Sequence, residues 1–181
     1  ELVSKMTLEE KIGQKIMLSF RSGWTMKDGT KISSVQNIND EIYEIIGKYD
    51  IGSVILFAAN FASDASINVE LTDGLQKAAM DQNLGKNSIP LIIGTDQEGG
   101  IYRLTGGTAL PGNMAVGATN DPEYAYKAGK IIGSELSSVG VNTNFAPDAD
   151  VNNNPNNPVI GLRSFSSDPQ LAAKFTTAYI E

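Results

Sequence analysis

The chain has 181 residues, 41% of them hydrophobic and 19% charged, with a formal charge of −7 at pH 7. With 14 Lys+Arg against 21 Asp+Glu and no basic run, nucleic-acid binding by phosphate neutralisation is excluded. The count of zero for cysteine removes disulfides, thiolate nucleophiles and Cys-based zinc sites, and zero histidines remove any Ser–His or Cys–His machinery within these residues.

The length suits one domain, or a piece of a larger one, with a real core. The longest apolar run, Val54 to Ala59, falls far short of the ~18 residues that would span a membrane. The first residue is Glu1, with no charged-then-apolar leader after it. The expectation is that an upstream segment has been removed.

In chain order, Thr7 caps a helix over Leu8 to Gln14, with Glu10 at capping-box spacing and Glu9 beside it in the acid-favouring first turn. Lys15 to Phe20 reads as a short strand, and the polar, glycine-containing Arg21 to Asn37 as loop. Ile42, Ile45, Ile46 and Tyr49 lie at i, i+3, i+4 and i+7, which predicts a helix over Asp40 to Tyr49. Gly52 to Ala59 is continuously apolar, as in a strand buried on both faces. Val69 to Asp81 reads as helix and Ile89 to Gly94 as strand. Thr95 to Gly117, with six glycines and Pro111, reads as a long loop. Pro122 opens a helix to about Val139 whose buried face holds Ala125, Ala128, Ile132, Leu136 and Val139, and Gly140 ends it. Val141 to Phe145 is a fourth strand, Asp148 to Ser167 an Asn/Pro-rich loop, and Asp168-Pro169 opens a last helix.

Four strand–loop–helix units imply a parallel sheet with helical crossovers, the loops after the strands carrying function. A Rossmann-type sheet would show Gly-x-Gly-x-x-Gly in its first turn, and that spacing is absent. The expected fold is therefore α/β, the first half of a (β/α)₈ TIM-type barrel. A whole barrel takes roughly 250 residues, so residues 1–181 are expected to form a partial barrel domain.

Three groups of residues could carry chemistry. Asp96 and Glu98 stand at the end of an apolar strand, followed by Gly99 and Gly100, which would let a ligand approach the backbone. The alternative is that Asp96 caps a loop and Glu98 pairs with a nearby arginine. Asp148, Asp150, Asn152 and Asn154 imitate the start of a calcium loop. Asn153 stands where that loop needs glycine and Val159 where it needs glutamate, so the series reads as loop-fixing turns. Arg103 and Arg163 lie in long post-strand loops, where a guanidinium fork could hold two sugar hydroxyls, a ligand carboxylate or a carboxylate of the protein. Trp24, the single tryptophan, could stack on a sugar or anchor its loop.

Several segments carry a resemblance: Met6-Thr7-Leu8-Glu9-Glu10-Lys11-Ile12-Gly13-Gln14, Gly52-Ser53-Val54-Ile55-Leu56-Phe57, Thr95-Asp96-Gln97-Glu98-Gly99-Gly100, Leu110-Pro111-Gly112-Asn113-Met114-Ala115, Phe145-Ala146-Pro147 with Asp150-Val151-Asn152, and Asn157-Pro158-Val159-Ile160-Gly161 with Arg163-Ser164-Phe165. Together they resemble the N-terminal barrel domain of glycoside hydrolase family 3, and Asp-Gln-Glu-Gly-Gly resembles its β-N-acetylhexosaminidase branch. The resemblance implies a carbohydrate ligand containing N-acetylglucosamine, with Asp96, Arg103 and Arg163 as substrate-binding residues. Arg103 follows a turn one residue shorter than in the family pattern. Glu98 matches a glutamate that is not the catalytic acid. No metal or organic cofactor is expected.

The resemblance also implies that a Lys-His pair, a His-Asp acid/base dyad and an Asp nucleophile follow later in the family order. No catalytic residue is expected in this chain, which is expected to be inactive as it stands, as part of a retaining exo-β-N-acetylglucosaminidase. The alternatives are a β-glucosidase of the same family and a non-catalytic carbohydrate-binding or assembly module. Open half-barrel edges would favour a homo-oligomer.

Overall fold

The computed structural model describes residues 1–21, 24–85, 87–101 and 103–181. They group into two compact units, Glu1–Thr95 with Ser138–Thr143, and Asp96–Ser137 with Asn144–Glu181.

The first unit opens with helices α1 (Leu2–Lys5) and α2 (Leu8–Gly13). The predicted capping box before α2 is formed. Glu10 N donates to Thr7 Oγ1 at 3.2 Å, and Thr7 N donates to Glu10 Oε2 at 2.7 Å. Strand β1 (Met17–Ser19) follows, then the short pair β2 (Trp24–Thr25) and β3 (Lys31–Ile32), helix α3 (Asp40–Lys48), strand β4 (Ser53–Leu56), helix α4 (Ala65–Met80) and strand β5 (Ile92–Thr95). Strand β6 (Thr143–Asn144) completes a four-stranded sheet of order β1-β4-β5-β6.

The pairs β1/β4 and β4/β5 are parallel, with Met17 beside Ser53 beside Ile92, and Leu18 beside Val54 beside Ile93. Successive side chains alternate between faces. The Leu18–Val54–Ile93 row faces the core, where Val54 and Ile93 are fully buried with Ile42, Ile46, Leu71 and Leu75 of α3 and α4. The opposite row leaves Met17 and Ile92 40% and 49% exposed. Sequential parallel order with helices on one face agrees with the α/β half-barrel expected from sequence.

The strands are short, so side-chain amides complete the backbone pairing beyond them. Asn142 accepts from Ile93 N at 2.9 Å and donates to Leu91 O at 2.9 Å. Gln76 closes a similar pair on Leu91, at 2.9 and 3.0 Å. Asn60, fully buried, accepts from Phe57 N and donates to Val35 O and Phe20 O. A buried backbone group left unpaired would cost as much as a lost hydrogen bond, which is why amides occupy these positions. Gly140, at φ +77°, ends the preceding helix as predicted, and a Cβ there would meet the Thr72 side chain.

Several boundaries differ from the sequence reading. Residues 21–37 are not all loop. Met26 N donates to Thr30 O at 2.8 Å and closes a hairpin around Asp28-Gly29, a dipeptide that signals such turns. The strand read over Gly52 to Ala59 stops at Leu56 and becomes a single 3₁₀ turn, Ala58–Asn60. Helix α4 starts at Ala65 rather than Val69, because Asp64 caps Ser66 N at 2.9 Å. The fourth strand has two residues rather than five.

The second unit contains helices α5 (Asn113–Gly117), α6 (Glu123–Ser138) and α7 (Pro169–Ile180) and a 3₁₀ turn, Gly161–Arg163. α5 lies where the sequence predicts loop, since five residues are too few to show a helical period. The α6 face is as predicted for Ala125, Ala128, Ile132 and Leu136, while Val139 is half-buried beyond the helix end. Asp168 accepts from Gln170 N and Leu171 N at 2.8 and 2.9 Å, with Pro169 in the first turn. Phe165, Phe175 and Tyr179 form the aromatic centre of this unit. Among the described residues no helix is long and apolar enough to cross a membrane.

α6 approaches α7 so closely that a Cβ on Gly129 would collide with the Tyr179 carbonyl oxygen. Gly129→Ala is therefore expected to destabilise the chain by about 1–3 kcal/mol. The helix-propensity gain of roughly 1 kcal/mol alone would predict the opposite sign. Urea denaturation of the variant against Gly133→Ala, whose added Cβ meets nothing within 4 Å, checks the sign.

Candidate functional site

The site grows from residues that follow β5 and β6, all in the second unit. Gln97 N donates to Asn144 Oδ1 at 3.0 Å and Asn144 Nδ2 donates to Gln97 O at 3.0 Å. Tyr179 Oη donates to the same Gln97 carbonyl at 3.1 Å, and Gln97 Oε1 accepts from Leu104 N at 2.9 Å. Gln97 is 2% exposed, and this network fixes the backbone that carries Asp96 and Glu98 on either side of it. Gly99 and Gly100 then turn the chain at φ +76° and +58°.

Glu98 and Arg163 form a bidentate ion pair. Arg163 Nε donates to Glu98 Oε2 at 2.9 Å, and Nη2 donates to Oε1 at 2.7 Å. The Asp148 carboxylate lies 3.5 Å from Arg163 Nε. The side chains of Asp148, Glu98 and Arg163 are 4%, 9% and 23% exposed. Asp148 Oδ1 accepts from Asp150 N at 2.8 Å, while Oδ2 is buried without a hydrogen-bond partner. The Asp150 carboxyl is raised above its ordinary range, first by a hydrogen bond to Asp148 and then by that residue's negative charge; Arg163 offsets part of this.

The Arg163 backbone is held as firmly as its side chain. Asn113 Nδ2 donates to Arg163 O at 2.6 Å, and Ser164 Oγ donates to Asp150 O at 2.6 Å. Asn157 accepts from Val159 N and Ile160 N at 2.9 and 3.2 Å, so the Asn-rich segment fixes turns as read from sequence. Among the described residues no group of three or more acidic side chains could hold a metal ion.

A cleft of about 420 Å³ is lined by Asp96, Glu98, Phe145, Asp148, Asp150 and Arg163, with Ala149 and Ile160. Asp96 is half-buried, and among the described residues its carboxylate makes no hydrogen bond or ion pair. Asp96 and Arg163, distant in sequence, thus meet in one cleft. Arg103 is exposed and is not among the lining residues. The reading that Glu98 pairs with an arginine holds, and the arginine is Arg163. Trp24 belongs to the first unit, where it packs edge-on against Phe20 at 5.4 Å. Four residues escaped the sequence reading as parts of the site. Phe145, 46% exposed, offers an aromatic surface on the cleft wall. Asp148, Asn113 and Ser164 show as site residues only through their contacts. The signal available for Asp148 and Phe145 was their place just after a strand.

Burial pushes the Tyr179 hydroxyl up to about 12, and the charge of Glu98 adds to the shift, while a hydrogen bond to Asn144 opposes it. A phenol whose folded pKa lies above its unfolded value near 10 stabilises fully below pH ~10 and loses that contribution as pH rises toward 12. Unfolding free energies from urea denaturation across this alkaline window are expected to fall by about 2 kcal/mol more in the wild type than in Tyr179→Phe. Equal slopes would place Tyr179 in water.

Comparisons with known proteins bear on the family and the fold. The sequence matches the model described as "Glycosyl hydrolase family 3 N terminal domain" over residues 7–181. It is 43% identical to the Beta-hexosaminidase A of Pseudoalteromonas piscicida over 97% of this chain and 30% of that protein. A Beta-hexosaminidase of Xylella fastidiosa is 38% identical over 72% of this chain and 38% of that protein. A glycoside hydrolase family 3 β-N-acetylglucosaminidase from a Paenibacillus species superposes with a TM-score of 0.81 at 38% identity, covering 96% of this chain and 30% of that one. The β-N-acetylhexosaminidase of Beutenbergia cavernae superposes with a TM-score of 0.76 at 25% identity, over 97% of this chain and 49% of that one. The chain thus spans about a third of the length of the curated relatives it matches, 30% and 38%. With the parallel sheet and a match running from Thr7 to the last residue, this chain belongs to the glycosyl hydrolase family 3 N-terminal domain family.

Proposed function

We propose that this chain supplies the sugar-gripping part of a retaining exo-β-N-acetylglucosaminidase and does not hydrolyse glycosides on its own. The observation that carries this reading is the convergence of Asp96 and Arg163 on one cleft beside the exposed face of Phe145. A carboxylate accepts hydrogen bonds from sugar hydroxyls, a guanidinium donates to them, and an aromatic surface covers an apolar sugar face. Residues 1–181 form a partial barrel domain in this reading. The relatives named β-hexosaminidase and β-N-acetylglucosaminidase favour N-acetylglucosamine over glucose as the ligand.

Retaining hydrolysis needs a nucleophile and an acid/base on either side of the scissile bond, typically two carboxyls roughly 5–5.5 Å apart. Two of the cleft's four carboxylates are committed otherwise. Glu98 is locked to Arg163, and Asp148 is held by Asp150 N and Arg163. With zero histidines, the chain has no imidazole to act in their place. Two measurements test the reading. A chromogenic β-N-acetylglucosaminide should show no turnover above background. ¹⁵N NMR titration with the methyl β-glycoside of N-acetylglucosamine should shift the resonances of Asp96, Phe145 and Arg163. Turnover by the chain would refute the lack of hydrolysis, and unshifted site resonances would refute the sugar grip.

A further inference from the structure

Asp96, Glu98 and Phe145 line the cleft, but the residues that fix their backbone do not: Gln97, Asn144 and Tyr179 are not among the lining residues. Gln97 stands between the two carboxylates with its side chain taken inward, 2% exposed and accepting from Leu104 N at 2.9 Å. One side chain holds the backbone on both sides of it. Asn144 Oδ1 accepts from Gln97 N at 3.0 Å, which fixes the peptide plane shared with Asp96. Asn144 Nδ2 donates to Gln97 O at 3.0 Å, which fixes the plane shared with Glu98. Tyr179 Oη donates to the same oxygen at 3.1 Å, so both lone pairs of that carbonyl are used. Asn144 also directly precedes Phe145, so the residue that clamps the acidic stretch carries the aromatic wall on its own backbone. β6 ends at Asn144, and the side chain takes over where the strand stops.

We infer that Asn144 is a positioning residue of this cleft: its amide sets the spacing between the carboxylates of Asp96 and Glu98 and the ring of Phe145, with Tyr179 as its support. The consequence for a ligand rests on the sugar-gripping reading above. Recognition groups act at full strength only when held within about 0.5 Å of their working geometry, and a residue outside the wall can supply that constraint. Asn142 provides an internal comparison. Two residues earlier, and in the first unit, it makes the same kind of double amide bond, to Ile93 N and Leu91 O at 2.9 Å each. Neither partner lines the cleft. Loss of the Asn142 amide therefore removes as many side-chain hydrogen bonds, but from residues that carry no cleft group.

The test compares Asn144→Ala, Tyr179→Phe and Asn142→Ala with the wild-type 181-residue chain by ¹⁵N NMR, first without ligand and then in titration with the methyl β-glycoside of N-acetylglucosamine. Urea denaturation of each variant reports stability separately. Without ligand, Asn144→Ala should move the amide resonances of Asp96, Gln97 and Glu98, that of Gln97 upfield because its N–H loses its acceptor. In titration it should bind about tenfold more weakly than the wild type. Tyr179→Phe keeps the ring and loses one donor to Gln97 O, and should bind about threefold more weakly. Asn142→Ala should stay within about twofold of the wild type, even where its stability loss equals that of Asn144→Ala. Wild-type affinity in Asn144→Ala overturns the inference. So does an equal weakening in Asn142→Ala, which would reduce Asn144 to general support of the fold. Should Asn144→Ala fail to fold, Tyr179→Phe decides on the same terms. A wild type that binds no glycoside defeats the sugar-gripping reading instead, and the inference is then decided by the unliganded spectra: unmoved Asp96 and Glu98 resonances in Asn144→Ala overturn it.

Discussion

Arg163→Met is expected to lower the stability of the chain by about 3 kcal/mol and, under the proposed sugar-gripping function, to abolish binding of N-acetylglucosamine glycosides. The reason lies in what the substitution leaves behind. Glu98 is 9% exposed at its side chain and exchanges two charge-assisted hydrogen bonds with Arg163. Without the guanidinium, its charge stays buried with neither water nor a partner, and Asp148 loses the cation 3.5 Å away. Breaking such a pair costs far more than the pair contributes over an apolar substitute. Hence Glu98→Gln placed in the Arg163→Met background should recover more than half of the loss, because an amide carries no charge to strand. Urea denaturation of the two single variants and the double variant measures this directly. A stable Arg163→Met protein would show that the pair is solvated.

Phe175→Ala should cost more, about 4 kcal/mol. Phe175 is fully buried on α7, with its ring stacked on Phe165 at 5.6 Å and 29° between planes. Phe165 in turn lies 6.4 Å from Tyr179, so one deletion opens a void at the centre of the aromatic cluster. The loss joins the transfer energy of the ring to the cavity that the neighbours cannot close. Leu162→Ala is the matched control. It lies on the cleft-bearing segment but is 61% exposed, and its change should stay within about 0.5 kcal/mol. Comparable losses in the two variants would mean that the second unit lacks the packed centre described here.

Local chemistry made much of this protein legible before folding. The capping box at Thr7 and Glu10, the apolar period of α3 through Ile46, the face of α6 through Leu136 and the glycine after it all depend on neighbours within a few residues and are as read, whereas Tyr49, 56% exposed, and Val139 fall beyond their helices. What escaped was short or completed from afar. The five-residue α5 is too brief for a period to show. The last strand reads as five residues and pairs over two, and beside it Asn142 adds side-chain bonds to Ile93 N and Leu91 O to its own backbone bond to Ile93 O. The hairpin at Asp28-Gly29 had its turn signal in plain view.

The candidate site divides along the same line. Which residue types stand after the strands is a property of the chain: carboxylates at 96 and 98, an arginine at 163, and no imidazole anywhere. Strand-to-loop order and the family motifs follow from the same string of residues. Which carboxylate Arg163 would hold was open until the backbone brought Glu98 and Asp148 to it and left Arg103 outside the cleft. An ion pair's strength is set by distance and by exclusion of water, and both depend on segments far apart in sequence being packed together. Side-chain chemistry is therefore inherited from the sequence, whereas partnership, burial and the charge offered to a ligand arise only from folding.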